Sequence, residues 1–169
     1  MNHELFSKIN GYLEGVSNLI TYFGGCYGHE YKFINIDQPI ERAIELHNTN
    51  SNLKNHKDIK YVGLSEVDDW KDEIFNITAK WFFSLFRVQD FGVSVKYPDT
   101  DGETPAELDK ESNKVSNNLI RLLEELFEGS NVKAYRLVTE IEWKDEFDWE
   151  QIYFAIGDEV FILDLYQWG

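Results

Sequence analysis

The stretch GDEVFILDLYQWG, Gly157 to Gly169, decides how the rest of the chain is interpreted. Successive residues of a β-strand point to opposite faces of its sheet. One face of this strand would carry Phe161, Leu163 and Leu165. The residues of the other face are also mostly apolar: Val160, Ile162, Asp164, Tyr166 and Trp168. Because a strand on a solvated surface alternates apolar with polar residues, the second face is predicted to be covered, either by the chain itself or by another molecule.

Helical periodicity is strongest at the start and in the middle of the chain. Apolar residues recur at helical spacing over residues 3–23, and a shorter pattern over 37–48 predicts a second helix. Residues 68–88 fit both a helix and a strand, and the helix is favoured because its pattern is longer. TPAE, Thr104–Glu107, is a capping box with proline at the first helical position, and it predicts a long helix that ends at Gly129.

Strand patterns dominate the C-terminal part of the chain. IKYVGL at 59–64 and FGVSVKYP at 91–98 predict isolated strands. Gly157-Asp158 is a two-residue hairpin signal. Three consecutive strands are predicted around it, at residues 132–143, 149–156 and 159–167. The expected class is α+β, with a mainly helical N-terminal part and a long central helix packed on a C-terminal antiparallel β-meander, in a single domain over 1–169.

The charge of the chain restricts its partners. It has 31 acidic and 16 basic residues, a net charge of −15. Such a field repels nucleic-acid phosphates and anionic lipid, and it attracts cationic surfaces. Direct nucleic-acid binding and membrane binding are therefore not expected, whereas a basic protein partner fits the charge. The other interpretation is that the charge serves solubility alone.

Cysteine usage and hydropathy indicate the cellular setting. The single cysteine, Cys26, excludes an internal disulfide and a thiol-rich metal site. The first residues show no signal-peptide pattern, and no stretch approaches the ~20 apolar residues that a membrane-spanning helix needs. A cytoplasmic location is expected.

Two clusters contain residue types that could carry chemistry. GGCYGH places Cys26 three residues before His29, and a Cys–His pair could act as a nucleophile. The turn itself explains the glycines, however. His47, His56 and Asp58 lack the spacing of a zinc or EF-hand site. No catalytic residue, metal or cofactor is predicted, and an enzyme that uses Cys26 and His29 is kept as an alternative.

The strongest functional signal is EIEWKDEFDWE, Glu140 to Glu150. From Glu140 to Glu159 there are eight acids and one base, a local net charge of −7. Aromatic anchors beside exposed acids are typical of a hot spot for a basic partner. The alternative is that the tryptophans belong to the core of the hairpin and the acids only solubilise its turn. The predicted partner-binding residues are Glu140, Glu142, Trp143, Asp145, Glu146, Asp148, Trp149, Glu150, Asp164, Tyr166 and Trp168.

The acidic aromatic segment from Glu140 to Gly169 closes a small α+β chain that shows no catalytic signature. In this profile the chain resembles the immunity proteins of bacterial polymorphic and contact-dependent growth inhibition toxin systems. The resemblance implies tight binding and neutralisation of a cognate toxin, often a basic nuclease. A generic acidic scaffold or a nucleic-acid mimic, with a wider set of basic partners, is the remaining alternative.

Overall fold

A five-stranded antiparallel sheet organises the computed structural model, which describes residues 2–24, 27–36, 38–43, 59–83, 106–141 and 147–169. The helices are α1 (His3–Gly24), α2 (Trp70–Phe83) and α3 (Ala106–Leu126), with a further helical turn at 40–43. The strands are β1 (Gly28–Ile36), β2 (Ile59–Val67), β3 (Lys133–Ile141), β4 (Phe147–Ile156) and β5 (Glu159–Trp168). Their order in the sheet is β1-β5-β4-β3-β2, with every pair antiparallel. The expected α+β class is confirmed.

The final strand, β5, lies inside the sheet between β1 and β4. Its face with Phe161, Leu163 and Leu165 belongs to the main hydrophobic core, together with buried residues of α1, α2 and α3. Helices therefore pack against this face of β5. The turn into β5 is also as predicted, because Gly157 has a φ of 58° and Ile156 pairs with Glu159 across it.

Aromatic rings fill the centre of the main core. Phe33 of β1 stacks on Phe161 with 5.5 Å between ring centroids and 8° between planes. Phe127, just past α3, lies 5.2 Å from Phe154 and 5.7 Å from Phe161. Trp70 meets Phe127 and Phe154 edge-on at 5.8 Å. The start of α2 and the end of α3 are thus fixed over the same part of the sheet.

Residues 70–83, which the sequence left open between helix and strand, form α2. Ile74, Ile77 and Trp81 are buried at helical spacing, so the helical interpretation is confirmed for this part. Residues 84–88 lie outside the described residues. So do the strand predicted at 91–98, the capping threonine Thr104 and most of the helix predicted at 37–48.

Side chains of α1 make hydrogen bonds with the backbone of the edge strand β1, on the side where a neighbouring strand would otherwise pair. Asn10 accepts a hydrogen bond from the backbone N–H of Phe33 through Oδ1 and donates one to its carbonyl oxygen through Nδ2, both at 2.9 Å. Thr21 Oγ1 accepts the N–H of His29 at 2.9 Å. Unpaired groups on an edge strand are a template for aggregation, and here side chains of α1 satisfy three of them.

Asn10→Ala is expected to lower the free energy of unfolding by about 2 kcal/mol, because two backbone hydrogen-bonding groups of a partly buried edge lose their partners. Urea denaturation measures this difference. Asn117→Ala on the exposed side of α3 is the matched control, since it makes the same change in helix propensity without a comparable contact. Equal effects of the two substitutions would contradict the proposed role of Asn10.

Candidate functional site

The second face of the sheet is covered by the chain itself at one end. Ala43, from the helical turn at 40–43, packs with Tyr153, Val160 and Ile162 in a small second core. Ile36, Ile40, Leu64, Tyr135 and Leu137 pack against this core as partly buried residues. These contacts bury the two apolar residues at the start of the second face of β5, Val160 and Ile162.

At the other end of the same face, aromatic side chains reach the surface. Trp149 of β4 pairs in register with Tyr166 of β5, and Trp168 is 43 % exposed. The rings of Tyr166 and Trp168 stack with 5.6 Å between centroids and 24° between planes. Glu30 of β1 lies opposite Tyr166 on the other side of β5. Trp149, Tyr166 and Trp168 are called the aromatic platform below.

Gly28 allows the indole of Trp168 to lie against β1. The two residues are cross-strand partners, and a Cβ added at position 28 would lie 2.3 Å from Cε2 of Trp168. Any side chain there would displace the ring. The position of Trp168 on the platform therefore depends on the absence of a side chain on the neighbouring strand.

A polar network lies under the aromatic platform. Asp164 Oδ1 accepts hydrogen bonds from Trp149 Nε1 at 2.9 Å and from Gln151 Nε2 at 2.7 Å. Tyr153 donates its hydroxyl to Gln151 Oε1 at 2.8 Å, which fixes the orientation of the amide. The indole of Trp149 is thus held in place by a carboxylate on the adjacent strand.

Burial raises the pKa of Asp164 above its ordinary value of 3.8. The hydrogen bonds from Gln151 and Trp149 oppose this shift because they stabilise the charged form, and the positive charge of Lys32 opposes it as well. Glu30 adds to the increase. Glu30 and Lys32 form an ion pair with each other at 2.6 Å. The net effect is a raised pKa, with burial as its largest cause.

Glu150, the neighbour of Trp149 in β4, lies in a different cluster. Its Oε2 accepts a hydrogen bond from Trp81 Nε1 of α2 at 2.9 Å, and its Oε1 accepts one from Arg136 of β3 at 3.2 Å. Arg136 also lies 3.2 Å from Glu73 of α2. The carboxylate of Glu150 therefore joins β4 to β3 and α2, away from the platform.

His29 is buried and contacts two elements. Its Nε2 lies 3.2 Å from Gln167 Oε1, and its Nδ1 lies 3.5 Å from Thr21 Oγ1. Burial lowers the pKa of His29, and hydrogen bonds with Gln167 and the backbone of Tyr27 act in the opposite direction. These contacts give the imidazole a structural role. Cys26 lies outside the described residues.

The described part of the chain contains no group of three or more His, Cys, Asp or Glu residues that could hold a metal ion. None of the helices within the described ranges is both long and apolar enough to cross a membrane.

The structure brings together four of the predicted partner-binding residues, Trp149, Asp164, Tyr166 and Trp168. It separates Glu150 from them. For Glu140 and Asp148 it describes only backbone, opposite Tyr61 and Gln167 respectively. The predicted residues outside the described ranges are Glu142, Trp143, Asp145 and Glu146.

Sequence analysis missed the contribution of β1 to this site. Gly28, Glu30 and Lys32 lie beside the platform, but strand β1 was not predicted. The available signal was the alternation of His29, Tyr31 and Phe33 with Glu30 and Lys32.

No family model, curated protein or solved structure matches the chain.

Proposed function

We propose that the chain is an acidic protein-binding inhibitor of the immunity type, which neutralises a cognate basic toxin in the cytoplasm of the bacterium that makes it. The observation that carries the proposal is the aromatic platform. Trp168, 43 % exposed, stacks on Tyr166 beside Trp149, on a chain with a net charge of −15.

Aromatic rings and negative charge have separate tasks in such an interface. Exposed tryptophan and tyrosine side chains supply buried area at low entropic cost, and residues of these types dominate binding hot spots. The negative field accelerates encounter with a positively charged partner and makes association sensitive to salt. A toxin that acts on nucleic acid has a basic phosphate-binding surface, which is the complement of this charge.

The framework of the platform also supports the proposal. Trp149 is fixed by Asp164, and Trp168 is fixed by its stacking on Tyr166 and its position against Gly28. Side chains that are already ordered lose less conformational entropy on binding. The platform is therefore prepared for contact before a partner arrives.

Trp168→Ala is expected to weaken binding of the toxin by about 2 kcal/mol, roughly 30-fold in Kd, because it removes an exposed anchor. The first candidate partner is the product of the gene immediately upstream. Calorimetry measures Kd, and co-expression with the toxin tests growth protection. Tyr22→Ala is the control, since Tyr22 is 82 % exposed on α1.

Unchanged affinity of the Trp168 variant would contradict the role of the platform. Failure of the wild-type chain to protect cells from the toxin would contradict the immunity function. Equal affinity for several unrelated basic proteins would favour a nucleic-acid mimic instead.

A further inference from the structure

Asp164 has an unusual position for an acid on a binding face. The side chain is recessed among Trp149, Gln151 and Tyr166, and its two hydrogen-bond donors are neutral groups. Within the described part of the chain it makes no ion pair. Lys32, the cross-strand partner of Asp164 on β1, forms its ion pair with Glu30.

A recessed carboxylate without a direct cation opposes folding. Removal of a charge from water is costly, and hydrogen bonds from neutral donors offset only part of the cost. An asparagine at this position would keep an acceptor for both donors without a charge to bury. Because a neutral residue of the same shape could fill this position, the charge of Asp164 points to a role outside the folding of the chain.

The surroundings of Asp164 specify the kind of cation that would fit. An ionised carboxylate has about four acceptor positions, of which Oδ1 uses two for Trp149 and Gln151. Trp149 and Tyr166 are cross-strand partners in the next row of the sheet, on the same face as Asp164. A guanidinium is planar, stacks on aromatic faces and donates several hydrogen bonds in one plane, whereas an ammonium group is compact and more strongly hydrated.

We propose that Asp164 is the counter-ion for an arginine side chain of the basic partner, whose guanidinium stacks on the aromatic platform. The inference rests on the proposed function and names the chemistry of its central contact. Asp164 is then a specificity-determining residue, with the platform supplying contact area around it.

The charged and titratable groups near Asp164 set the conditions for the test. On β1 they are Glu30 and Lys32, on β4 the phenol of Tyr153, and on β5 the phenol of Tyr166. Burial raises the pKa of Tyr153, so its hydroxyl stays neutral. Measurements at low salt preserve the attraction between carboxylate and guanidinium.

Asp164→Asn is expected to raise the thermal midpoint at pH 7 by about 2–4 °C, because the variant no longer buries a charge. At pH values above the pKa of Asp164 in the folded chain, its charge lowers the free energy of unfolding by the full amount. This effect disappears as the pH falls toward 3.8, the ordinary pKa. The difference between variant and wild type should therefore shrink to zero near that pH. A lower midpoint for the variant at pH 7 would show a structural carboxylate and overturn the proposal.

Binding is tested with a blocked tri-arginine peptide, followed by the NMR signals of the tryptophan indole N–H groups. The wild-type chain should bind this peptide and not the neutral tri-citrulline peptide of similar shape. Tri-lysine should bind several-fold more weakly. Asp164→Asn should weaken tri-arginine binding at least about tenfold, whereas Glu128→Gln, an equal charge change at an exposed site after α3, should alter it less than about twofold.

Lys32→Gln supplies an independent variant that leaves Asp164 in place. Removal of the competing positive charge should strengthen tri-arginine binding about threefold or more, compared with Lys71→Gln, a matched charge change on α2. Equal effects of the two lysine variants would count against Asp164 as the binding centre.

The outcomes separate this inference from the proposed function. If Asp164→Asn binds tri-arginine or the toxin as well as the wild-type chain does, the proposed arginine contact is wrong. The proposal of an inhibitor that docks through Trp168 is then unaffected. Absence of any specific binding of tri-arginine to the wild-type chain also overturns the contact. If the wild-type chain does not bind the toxin, the proposed function fails whatever the peptide shows.

Discussion

Replacement of Phe33 by alanine is expected to lower the free energy of unfolding by about 3–5 kcal/mol. The ring is 2 % exposed and stacks on Phe161 at 5.5 Å, with Phe127 and Phe154 at 6.3 Å. The surrounding rings come from β4, β5 and the end of α3, so the cavity cannot close by movement of one side chain. Denaturation in urea, followed by far-UV circular dichroism, measures the loss.

Ile34→Ala is the control for this prediction, because Ile34 is the next residue of β1 and lies on the second face. Its side chain is 38 % exposed, so its truncation should cost less than about 1 kcal/mol. Similar costs for the two substitutions would contradict the orientation of β1 in the sheet. The comparison therefore tests the strand that sequence analysis did not predict.

Strand β1 was not predicted because its alternation of apolar and polar residues changes halfway along the strand. His29, Tyr31 and Phe33 point to the helices, while Glu30 and Lys32 point to the second face, as a half-exposed strand requires. From Ile34 onward the pattern changes, because apolar residues occupy the second face, and Ile36 packs there against the small core that includes Ala43 of the helical turn. The turn begins only four residues after Ile36, but its packing on the second face is a tertiary contact that strand periodicity does not indicate.

The last hairpin was predictable because its information is local. The two faces of β5 follow from period-two alternation, and Gly157-Asp158 fixes the register with β4. This register alone places Trp149 opposite Tyr166. The separation of Trp149 from Glu150 also follows from the alternation, since adjacent residues of a strand point to opposite faces. Their grouping in one predicted site ignored this rule.

Contacts between elements that are far apart in the sequence could not be predicted from sequence patterns. The hydrogen bonds of Asn10 with β1 and of Glu150 with Trp81 depend on how helices lie over the sheet. The abundance of acids made no single carboxylate conspicuous. The role proposed for Asp164 rests on its burial and on its two neutral donors, both of which come from β4.

Arg136 contacts two carboxylates, one from α2 and one from β4. Its Nη2 donates to Glu150 Oε1, and its Nη1 lies 3.2 Å from Glu73 Oε1. Within the described residues, Glu73 Oε1 is buried and accepts no well-oriented hydrogen bond. The Glu73 contact is therefore mainly electrostatic, and it depends on the positive charge of the guanidinium.

Arg136→Met is expected to lower the free energy of unfolding by about 2–3 kcal/mol, because it removes the guanidinium that contacts the carboxylates of both Glu73 and Glu150. The value lies below that of a fully buried pair because the Arg136 side chain is 46 % exposed. Addition of Glu73→Gln should restore about 1 kcal/mol by removing one of the two carboxylates that have lost this contact. Arg121→Met, which breaks an exposed pair with Glu125, should cost less than about 0.5 kcal/mol. Equal losses for the two arginine variants in urea denaturation would mean that Arg136 does not link α2 to the sheet.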